Sequence, residues 1–276
     1  MFSRRSSRTL LPLTAAALVL AGCSSQDEAA ESNSVEVDSS VQTVDFTTEL
    51  SHMHGLHIDA DGTVLAGTHT GLFALESSGT PERVGTSDDD FMGLAGIPFT
   101  DTLFSSGHPG PSSTAANPLG LRSSTDGGKS WVERSLEGQV DFHTLAADDS
   151  ILVGFDGTSG LLVSADGGTS WTPGAALPVA SLAVTTSGIW AITAQGVEHS
   201  TDGANTFSSV DDAPALVMLA GAGDALWGID TDGYAWRSRE GADWQRLAQV
   251  GQVGALAAKD YETAYAATTT SLYTLN

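Results

Sequence analysis

Short apolar segments alternate with polar, glycine-rich turns along the chain from about residue 41 onward. Short apolar runs bounded by Gly, Asp, Asn or Ser are typical of β-strands. No stretch of this region keeps a 3.6-residue hydrophobic period without interruption by glycine, so helices are not expected. The pattern predicts an all-β domain over residues 41–276.

The apolar segments recur in groups, each with a third strand that is usually led by glycine. These third strands begin at residues 71, 120, 160, 196, 233 and 271, so they are spaced by 49, 40, 36, 37 and 38 residues. A period near 40 residues suits a β-propeller, in which each blade is a four-stranded sheet. Six repeats therefore predict six blades. The longest spacing places an insertion at 106–118 of blade 2, where a functional loop is expected.

A hairpin motif follows three of the third strands. It reads STDGGKSW at 124–131, SADGGTSW at 164–171 and STDGANTF at 200–207. Aspartate accepts hydrogen bonds from the following backbone, glycine adopts positive φ in tight turns, and the aromatic ring buries a large apolar area. The motif predicts structural hairpins built on Asp126, Trp131, Asp166, Trp171, Asp202 and Phe207.

The motif resembles the Asp-box, or BNR, repeat of sialidases, sortilin-type receptors and related glycosyl hydrolase-like propellers. The resemblance implies that each hairpin joins the third and fourth strands of a blade and that its aromatic residue packs between blades. It also implies a scaffold role for Asp126, Asp166 and Asp202, since the repeat occurs in enzymes and in non-enzymes.

The sixth repeat has only three strands before the sequence ends at Asn276. Residues 42–46 can supply the missing strand by pairing with the segment at 271–273. Such pairing removes exposed sheet edges, which are prone to aggregation. We therefore expect a six-bladed β-propeller with Asp-box hairpins, its ring closed by an N-terminal strand.

Residues 1–22 have the composition of a secretory signal peptide. Three arginines precede an apolar run over residues 10–20, and the segment contains no acid. The run is too short for a permanent transmembrane helix and leads into LAGC, which resembles a bacterial lipobox with Cys23 as the lipid acceptor. The sequence predicts an exported lipoprotein, anchored to the outer face of the cell membrane. Residues 23–40 are polar and acidic and predict a disordered tether.

Charge and cysteine content narrow the range of partners. Cys23 is the only cysteine, so no internal disulfide is expected. Residues 1–22 contain three of the 11 basic residues and no acidic residue. The remaining chain therefore has eight basic and 34 acidic residues, and its net charge is −26. Nucleic acids and anionic lipids bind through clustered Lys and Arg, so neither is expected as a partner, and membrane contact is left to the lipid anchor. Cations, glycans and proteins fit this surface better.

Five of the seven histidines map to one face of the predicted ring. In a propeller, the loops that lead into the first strands and the loops that join second to third strands open on the same side. His52 and His54 lie at the start of the first strand of blade 1, and His143 at that of blade 3. His69 and His108 lie in the second-to-third loops of blades 1 and 2.

Side chains that suit a transition metal therefore gather on three adjacent blades. Because first strands line the central channel, His54, Met92 and His143 are expected to converge at its mouth. Imidazole binds zinc and copper, and a thioether favours Cu(I). We expect a site for a transition metal, copper or zinc, formed by His52, His54, His69, Met92, His108 and His143. A neutral polar lining is the alternative, and His57 and His199 are expected to be structural.

An enzyme is the alternative implied by the family resemblance. Sialidases grip a sugar carboxylate with three arginines at the propeller mouth, whereas the arginines here fall in third and fourth strands near the outer rim. A different glycoside hydrolase could use Asp90 and Asp141 as its carboxylate pair. Similar propellers also serve as assembly factors or protein-binding domains. The function expected from the sequence is a lipid-anchored propeller that binds a metal ion or ligand at the histidine-rich face of blades 1–3.

Overall fold

The computed structural model describes residues 41–276. This region contains 24 β-strands and no helix, as the sequence predicted. The predicted signal peptide at 1–22, the predicted tether at 23–40 and the predicted lipidation site Cys23 lie outside the described residues. Within the part of the chain that the structure describes, no helix has the length and apolar character needed to cross a membrane.

The strands form six antiparallel sheets of four strands each, which are the six blades of a β-propeller. In blades 1 to 5, four consecutive strands pair in chain order. Blade 1 consists of β2 (Met53–Ile58), β3 (Val64–Thr68), β4 (Gly71–Leu75) and β5 (Glu82–Val84), and blade 2 of β6 (Asp90–Gly96), β7 (Leu103–His108), β8 (Leu121–Ser124) and β9 (Val132–Ser135). Blade 3 consists of β10 (Thr144–Ala147), β11 (Leu152–Phe155), β12 (Leu161–Ser164) and β13 (Thr172–Pro173), and blade 4 of β14 (Ser181–Thr185), β15 (Gly188–Thr193), β16 (Gly196–Ser200) and β17 (Ser208–Ser209). Blade 5 consists of β18 (Leu216–Ala222), β19 (Ala225–Asp230), β20 (Tyr234–Arg239) and β21 (Ala242–Gln249). Blade 6 consists of β22 (Ala255–Ala258), β23 (Ala264–Ala267), β24 (Ser271–Leu275) and β1 (Val41–Asp45). The predicted six-bladed architecture is confirmed.

The two ends of the described chain meet in blade 6 and close the ring. Strand β1 pairs antiparallel with β24, with Val41 opposite Leu275 and Asp45 opposite Ser271. The Ser271 hydroxyl also donates a hydrogen bond to Asp45 Oδ1 at 2.8 Å. Closure by the N-terminal strand is therefore confirmed, one residue earlier than the expected 42–46.

The apolar core lies between neighbouring blades. Phe142 of blade 3, for example, is buried against Phe104 and Leu121 of blade 2. The first strands pack closely around the axis, and a Cβ at Gly93 would lie 2.2 Å from the carbonyl oxygen of Phe142. Only glycine fits such an approach of two backbones. The narrow centre of the ring therefore depends on small residues in the first strands.

The three hairpins predicted from the repeated motif share one hydrogen-bond pattern. Each aspartate accepts bonds from the serine hydroxyl two residues before it and from the backbone N–H and hydroxyl four residues after it. These bonds hold the pKa of Asp126 and of Asp202 at about 2. Trp131 packs against Leu72 of blade 1, and the Trp171 indole N–H donates to Ser135 of blade 2. The hairpins of blades 2 and 3 thus pack against the preceding blade.

The second strand of blade 2 is longer than expected. The sequence predicted a loop at 106–118, whereas β7 runs to His108 and pairs that residue with Asp90 of β6. The prediction of a loop was wrong for residues 106–108, because a polar side chain can be buried in a strand where it has a hydrogen-bond partner. Ser106 is fully buried, and its hydroxyl accepts a hydrogen bond from the Phe142 backbone N–H at 2.8 Å.

Candidate metal centre

Potential metal ligands repeat at the start of the first strands of blades 1, 2 and 3. Residues 52–54 (His-Met-His), 90–92 (Asp-Phe-Met) and 141–143 (Asp-Phe-His) occupy equivalent places. The alignment follows the buried leucines that come two residues later, Leu56, Leu94 and Leu145. The middle residue of each triplet is buried, with no more than 3 % of its surface exposed. The two flanking residues of each triplet, by contrast, are half-buried or exposed.

One group of these side chains spans the boundary between blades 1 and 2. His69 Nδ1 lies 2.9 Å from Asp90 Oδ2, and His54 Nε2 lies 3.4 Å from His69 Nδ1. The three residues offer ligand atoms that all lie within 4.8 Å of one another. The ring of His52 is adjacent, with its centroid 4.8 Å from that of His54. We refer to His54, His69 and Asp90 as the blade 1–2 cluster.

A second group lies at the boundary between blades 2 and 3. Asp141 Oδ2 lies 2.9 Å from His143 Nε2 and 3.3 Å from His108 Nε2. The other ring nitrogen of His108, Nδ1, lies 2.8 Å from Asn117 Oδ1. We refer to His108, Asp141 and His143 as the blade 2–3 cluster. Of the five histidines that the sequence assigned to one site, two thus lie near Asp90 and two near Asp141, and His52 contacts the rings of His54 and His69.

Both carboxylates are largely sheltered from solvent. The side chains of Asp90 and Asp141 are 19 % and 17 % exposed. On each of them, Oδ1 is buried without a hydrogen-bond partner among the described residues. His54 Nε2 stands 3.8 Å from Asp90 Oδ1, beyond hydrogen-bond range. A buried carboxylate oxygen without a donor is costly, and a bound cation is one way in which proteins satisfy it.

The protonation of His54 suits a metal ligand. Burial and the neighbouring His69 lower the pKa of His54 to about 4, although Asp90 acts in the opposite direction. The imidazole is therefore neutral at pH 7. A neutral ring has a nitrogen lone pair to offer to a metal ion without first releasing a proton.

A central channel of about 310 Å³ is lined by the first strands of all six blades. His54, Met92 and His143 line it on the side of blades 1 to 3. The equivalent positions of blades 4 to 6 carry small or apolar residues, Ala180, Val217 and Gly254. The described residues that line this channel include no arginine. At these six equivalent positions, side chains that can bind a metal therefore occur on blades 1 to 3 alone.

The remaining two histidines make contacts away from these clusters. His57 Nε2 lies 2.8 Å from the carbonyl oxygen of Thr100, which joins blade 1 to a turn of blade 2. His199 stacks on the Trp190 ring with centroids 3.8 Å apart. Burial lowers the pKa of both histidines. Both side chains connect neighbouring elements of the scaffold.

The loop after β7 is held by hydrogen bonds of residues that the sequence patterns did not identify as functional. Asp89 accepts a hydrogen bond from the Gly110 N–H at 2.9 Å, and Asp88 accepts one from the Ser112 hydroxyl at 2.6 Å. Asn117 lies in the same loop and orients His108. Its position in the longest loop of the chain, nine residues after His108, was a signal that could have identified it.

No protein-family model and no curated protein matches the sequence. Solved structures do match over most of its length. A GH74 enzyme of Niastella koreensis is 17 % identical with a TM-score of 0.58, over 83 % of this chain and 42 % of that enzyme. This chain thus spans less than half the length of the GH74 enzyme.

Two shorter proteins match along nearly their whole length. Virginiamycin B lyase from Staphylococcus aureus is 15 % identical with a TM-score of 0.56, over 87 % of this chain and 99 % of the lyase. A YCF48 protein bound to D1 peptide is 12 % identical with a TM-score of 0.55, over 87 % of this chain and 98 % of YCF48. At such low identity these similarities establish the β-propeller fold, and the function has to be argued from the site itself.

Proposed function

We propose that the protein is a lipid-anchored β-propeller of the cell surface that binds a transition metal ion, copper or zinc, at the blade 1–2 cluster. The LAGC motif supports anchoring through Cys23, and the acidic composition of 23–40 supports a tether between anchor and propeller. We further propose that the hairpins at 124–131, 164–171 and 200–207 are Asp-boxes. In this proposal their aspartates stabilise the blades and take no part in binding.

The spacing of three ligand atoms carries the proposal. Metal–nitrogen and metal–oxygen bonds to zinc are about 2.1 Å long, so two ligands of a tetrahedral site lie about 3.4 Å apart. His69 Nδ1 lies 2.9 Å from Asp90 Oδ2 and 3.4 Å from His54 Nε2, and His54 Nε2 lies 3.8 Å from the other carboxylate oxygen, Asp90 Oδ1. These separations bracket the tetrahedral value, so an ion could be accommodated with small movements of the side chains.

The chemistry of the ligands narrows the choice of metal. Two imidazoles and one carboxylate suit zinc or copper, whereas calcium and magnesium prefer ligand sets made of oxygen. Three protein ligands leave a fourth position open, which is the arrangement of zinc sites that exchange or activate a ligand. His69 is exposed at the surface, so an ion would reach the cluster from solvent.

Calorimetric titration tests the proposal. The full chain is stripped with a chelator and titrated with Zn²⁺ or Cu²⁺. We expect the unaltered protein to bind metal at the blade 1–2 cluster, and we expect this binding event to be lost in Asp90→Asn and in His54→Ala/His69→Ala, because each change removes ligands of that cluster. Asp149→Asn, which alters an exposed carboxylate of blade 3, is the matched control and should bind as the unaltered protein does. Absence of binding, or binding that Asp90→Asn leaves unchanged, contradicts the proposal.

A glycoside hydrolase is the second candidate. The observation that favours it is the sheltered pair Asp90 and Asp141, at equivalent positions of adjacent blades. Glycosidases place two carboxyl groups on either side of the scissile bond. A screen of chromogenic glycosides should then find turnover that both Asp90→Asn and Asp141→Asn abolish in chelator-treated protein. Turnover that survives either change removes this candidate.

A further inference from the structure

The two clusters share a plan that repeats after one blade. In each, an aspartate that precedes a buried phenylalanine lies beside a histidine from the end of the second strand of the preceding blade. The pairs are Asp90 with His69 and Asp141 with His108, at 2.9 and 3.3 Å. An ion held at the first boundary therefore implies a counterpart at the second.

The hydrogen bonds around His108 point to a cation at its second nitrogen. Nδ1 faces Asn117 Oδ1 at 2.8 Å and has to carry a proton to donate to that oxygen. In the neutral ring Nε2 is then an acceptor, yet it faces the carboxylate oxygen Oδ2 of Asp141 at 3.3 Å. Two acceptors at this distance repel each other unless a metal ion or a proton lies between them. Metal-binding histidines usually donate their other ring N–H to a carbonyl or carboxylate, as His108 does to Asn117.

The contacts of Asp141 also point to a cation at this boundary. Its Oδ2 is also 2.9 Å from His143 Nε2, so the rings of His108 and His143 both lie next to this one oxygen. Its Oδ1 is buried and has no hydrogen-bond partner among residues 41–276. A metal ion beside the carboxylate satisfies an oxygen that neither histidine reaches.

Met92 distinguishes this boundary from the first one. It occupies in blade 2 the place that His54 occupies in blade 1, as the third residue of the aligned triplets. It lines the channel, as His143 does. The blade 2–3 boundary therefore has a thioether where the blade 1–2 boundary has an imidazole. Thioether sulfur is a soft ligand that favours Cu(I).

We infer that His108, Asp141 and His143 form a second metal site, with Met92 as its soft ligand, and that this site prefers copper(I) to zinc. The inference rests on the proposed function, since it extends the same ion chemistry by one blade. Each chain then holds two ions, one at each boundary. The first site has only nitrogen and oxygen ligands, and the second adds sulfur.

Metal stoichiometry in full-chain variants tests the second site. Zn²⁺, or Cu⁺ under anaerobic reducing conditions, is added to metal-free protein, and bound metal is counted by elemental analysis after gel filtration. We expect two ions per chain in the unaltered protein. One ion should remain in His54→Ala/His69→Ala and one in His108→Ala/His143→Ala. Circular dichroism confirms folding, and the isosteric Asp141→Asn replaces the double variant if that variant does not fold.

Competition with a Cu⁺ chelator tests the metal preference. Met92→Leu nearly conserves side-chain volume, so this variant should keep two Zn²⁺ ions but release one Cu⁺ ion to a chelator concentration that the unaltered protein withstands. Met218→Leu is the matched control, because Met218 lines the same channel on blade 5. Asn117→Ala should weaken the second site alone by about 10–100-fold, the usual effect of losing a residue that orients a ligand.

The outcomes of these experiments distinguish a failure of the second metal site from a failure of the proposed function. If the unaltered protein binds only one ion per chain and His108→Ala/His143→Ala still binds it, the second site is overturned and the proposed function is left intact. No ion in the unaltered protein overturns both. A proton in place of a metal between His108 and Asp141 gives the single-ion result, and Asn117→Ala then has no effect on metal affinity. Equal retention of Cu⁺ by Met92→Leu and Met218→Leu overturns the preference for copper.

Discussion

Covalent locking of the seam between β1 and β24 should stabilise the whole propeller. Gln42 and Thr274 lie opposite each other across this seam, and neither belongs to the buried core. Opposed residues of an antiparallel pair have Cα atoms about 4.5–5.5 Å apart, which is within the range of disulfides. We therefore expect Gln42→Cys/Thr274→Cys to form a disulfide under oxidising conditions.

The size of the effect follows from the length of chain that the bond encloses. A link between residues 42 and 274 closes a loop of 233 residues. The chain-entropy relation for a loop of this length gives about 5 kcal/mol of stabilisation, through restriction of the unfolded state. For a domain of this size that corresponds to a rise of about 10–20 °C in unfolding temperature. This is the upper value, because strain in an engineered bond reduces the gain.

Gel mobility without reductant and thermal unfolding with and without reductant measure the outcome. The pair is introduced into Cys23→Ser, so that the engineered residues supply the only thiols. Thr43→Cys/Thr274→Cys is the matched control, since a shift of one residue places the two thiols on opposite faces of the sheet. Equal crosslinking of the shifted pair would refute the register of β1. A disulfide that forms without raising the unfolding temperature would show that the seam does not limit stability.

Three further predictions concern the anchor, the core and the hairpins. Cys23→Ser should move the protein from the membrane fraction to the soluble fraction of cells, and retention in the membrane fraction contradicts lipid anchoring. Phe142→Ala should lower the free energy of unfolding in urea by about 3–5 kcal/mol, the usual cost of deleting a buried aromatic ring; a change below about 1 kcal/mol contradicts its role between blades 2 and 3. Hydrogen bonds from Thr206 hold the pKa of Asp202 at about 2, below its ordinary value of 3.8. Its stabilising effect is therefore complete above pH 3.8 and is lost as the pH falls through 2, so the destabilisation by Asp202→Asn should be largest near neutral pH and should shrink between pH 4 and pH 2.

The repeated part of the fold could be predicted because each repeat contains the same local sequence pattern. A polar turn, a short apolar strand and an Asp-Gly hairpin with an aromatic residue recur at a spacing that fits one blade. Counting strands then left blade 6 one strand short and identified the segment that became β1. Such inferences need only local patterns and the rule that sheet edges are paired or covered.

The site was harder to predict because it depends on distances between blades. The sequence placed His54, His69 and His108 on one face, but strand patterns do not say how far neighbouring blades diverge. In the structure His69 lies beside Asp90 and His108 beside Asp141. The extension of β7 contributes to this arrangement, since it places His108 at the end of a strand. That extension relies on a buried hydrogen bond of Ser106, which no hydrophobic pattern reveals.

The position of the two clusters links the proposed binding to the stability of the ring. The blade 1–2 cluster contains His54 and His69 from blade 1 and Asp90 from blade 2. An ion bound there would add a link between two blades that also meet through apolar contacts and the His57–Thr100 hydrogen bond. The blade 2–3 cluster would do the same one step further. Ligands that bind only the folded state stabilise it by an amount that grows with the logarithm of their concentration. Metal binding would therefore oppose the separation of neighbouring blades at two boundaries, and the pairing of β1 with β24 opposes the opening of the ring within blade 6.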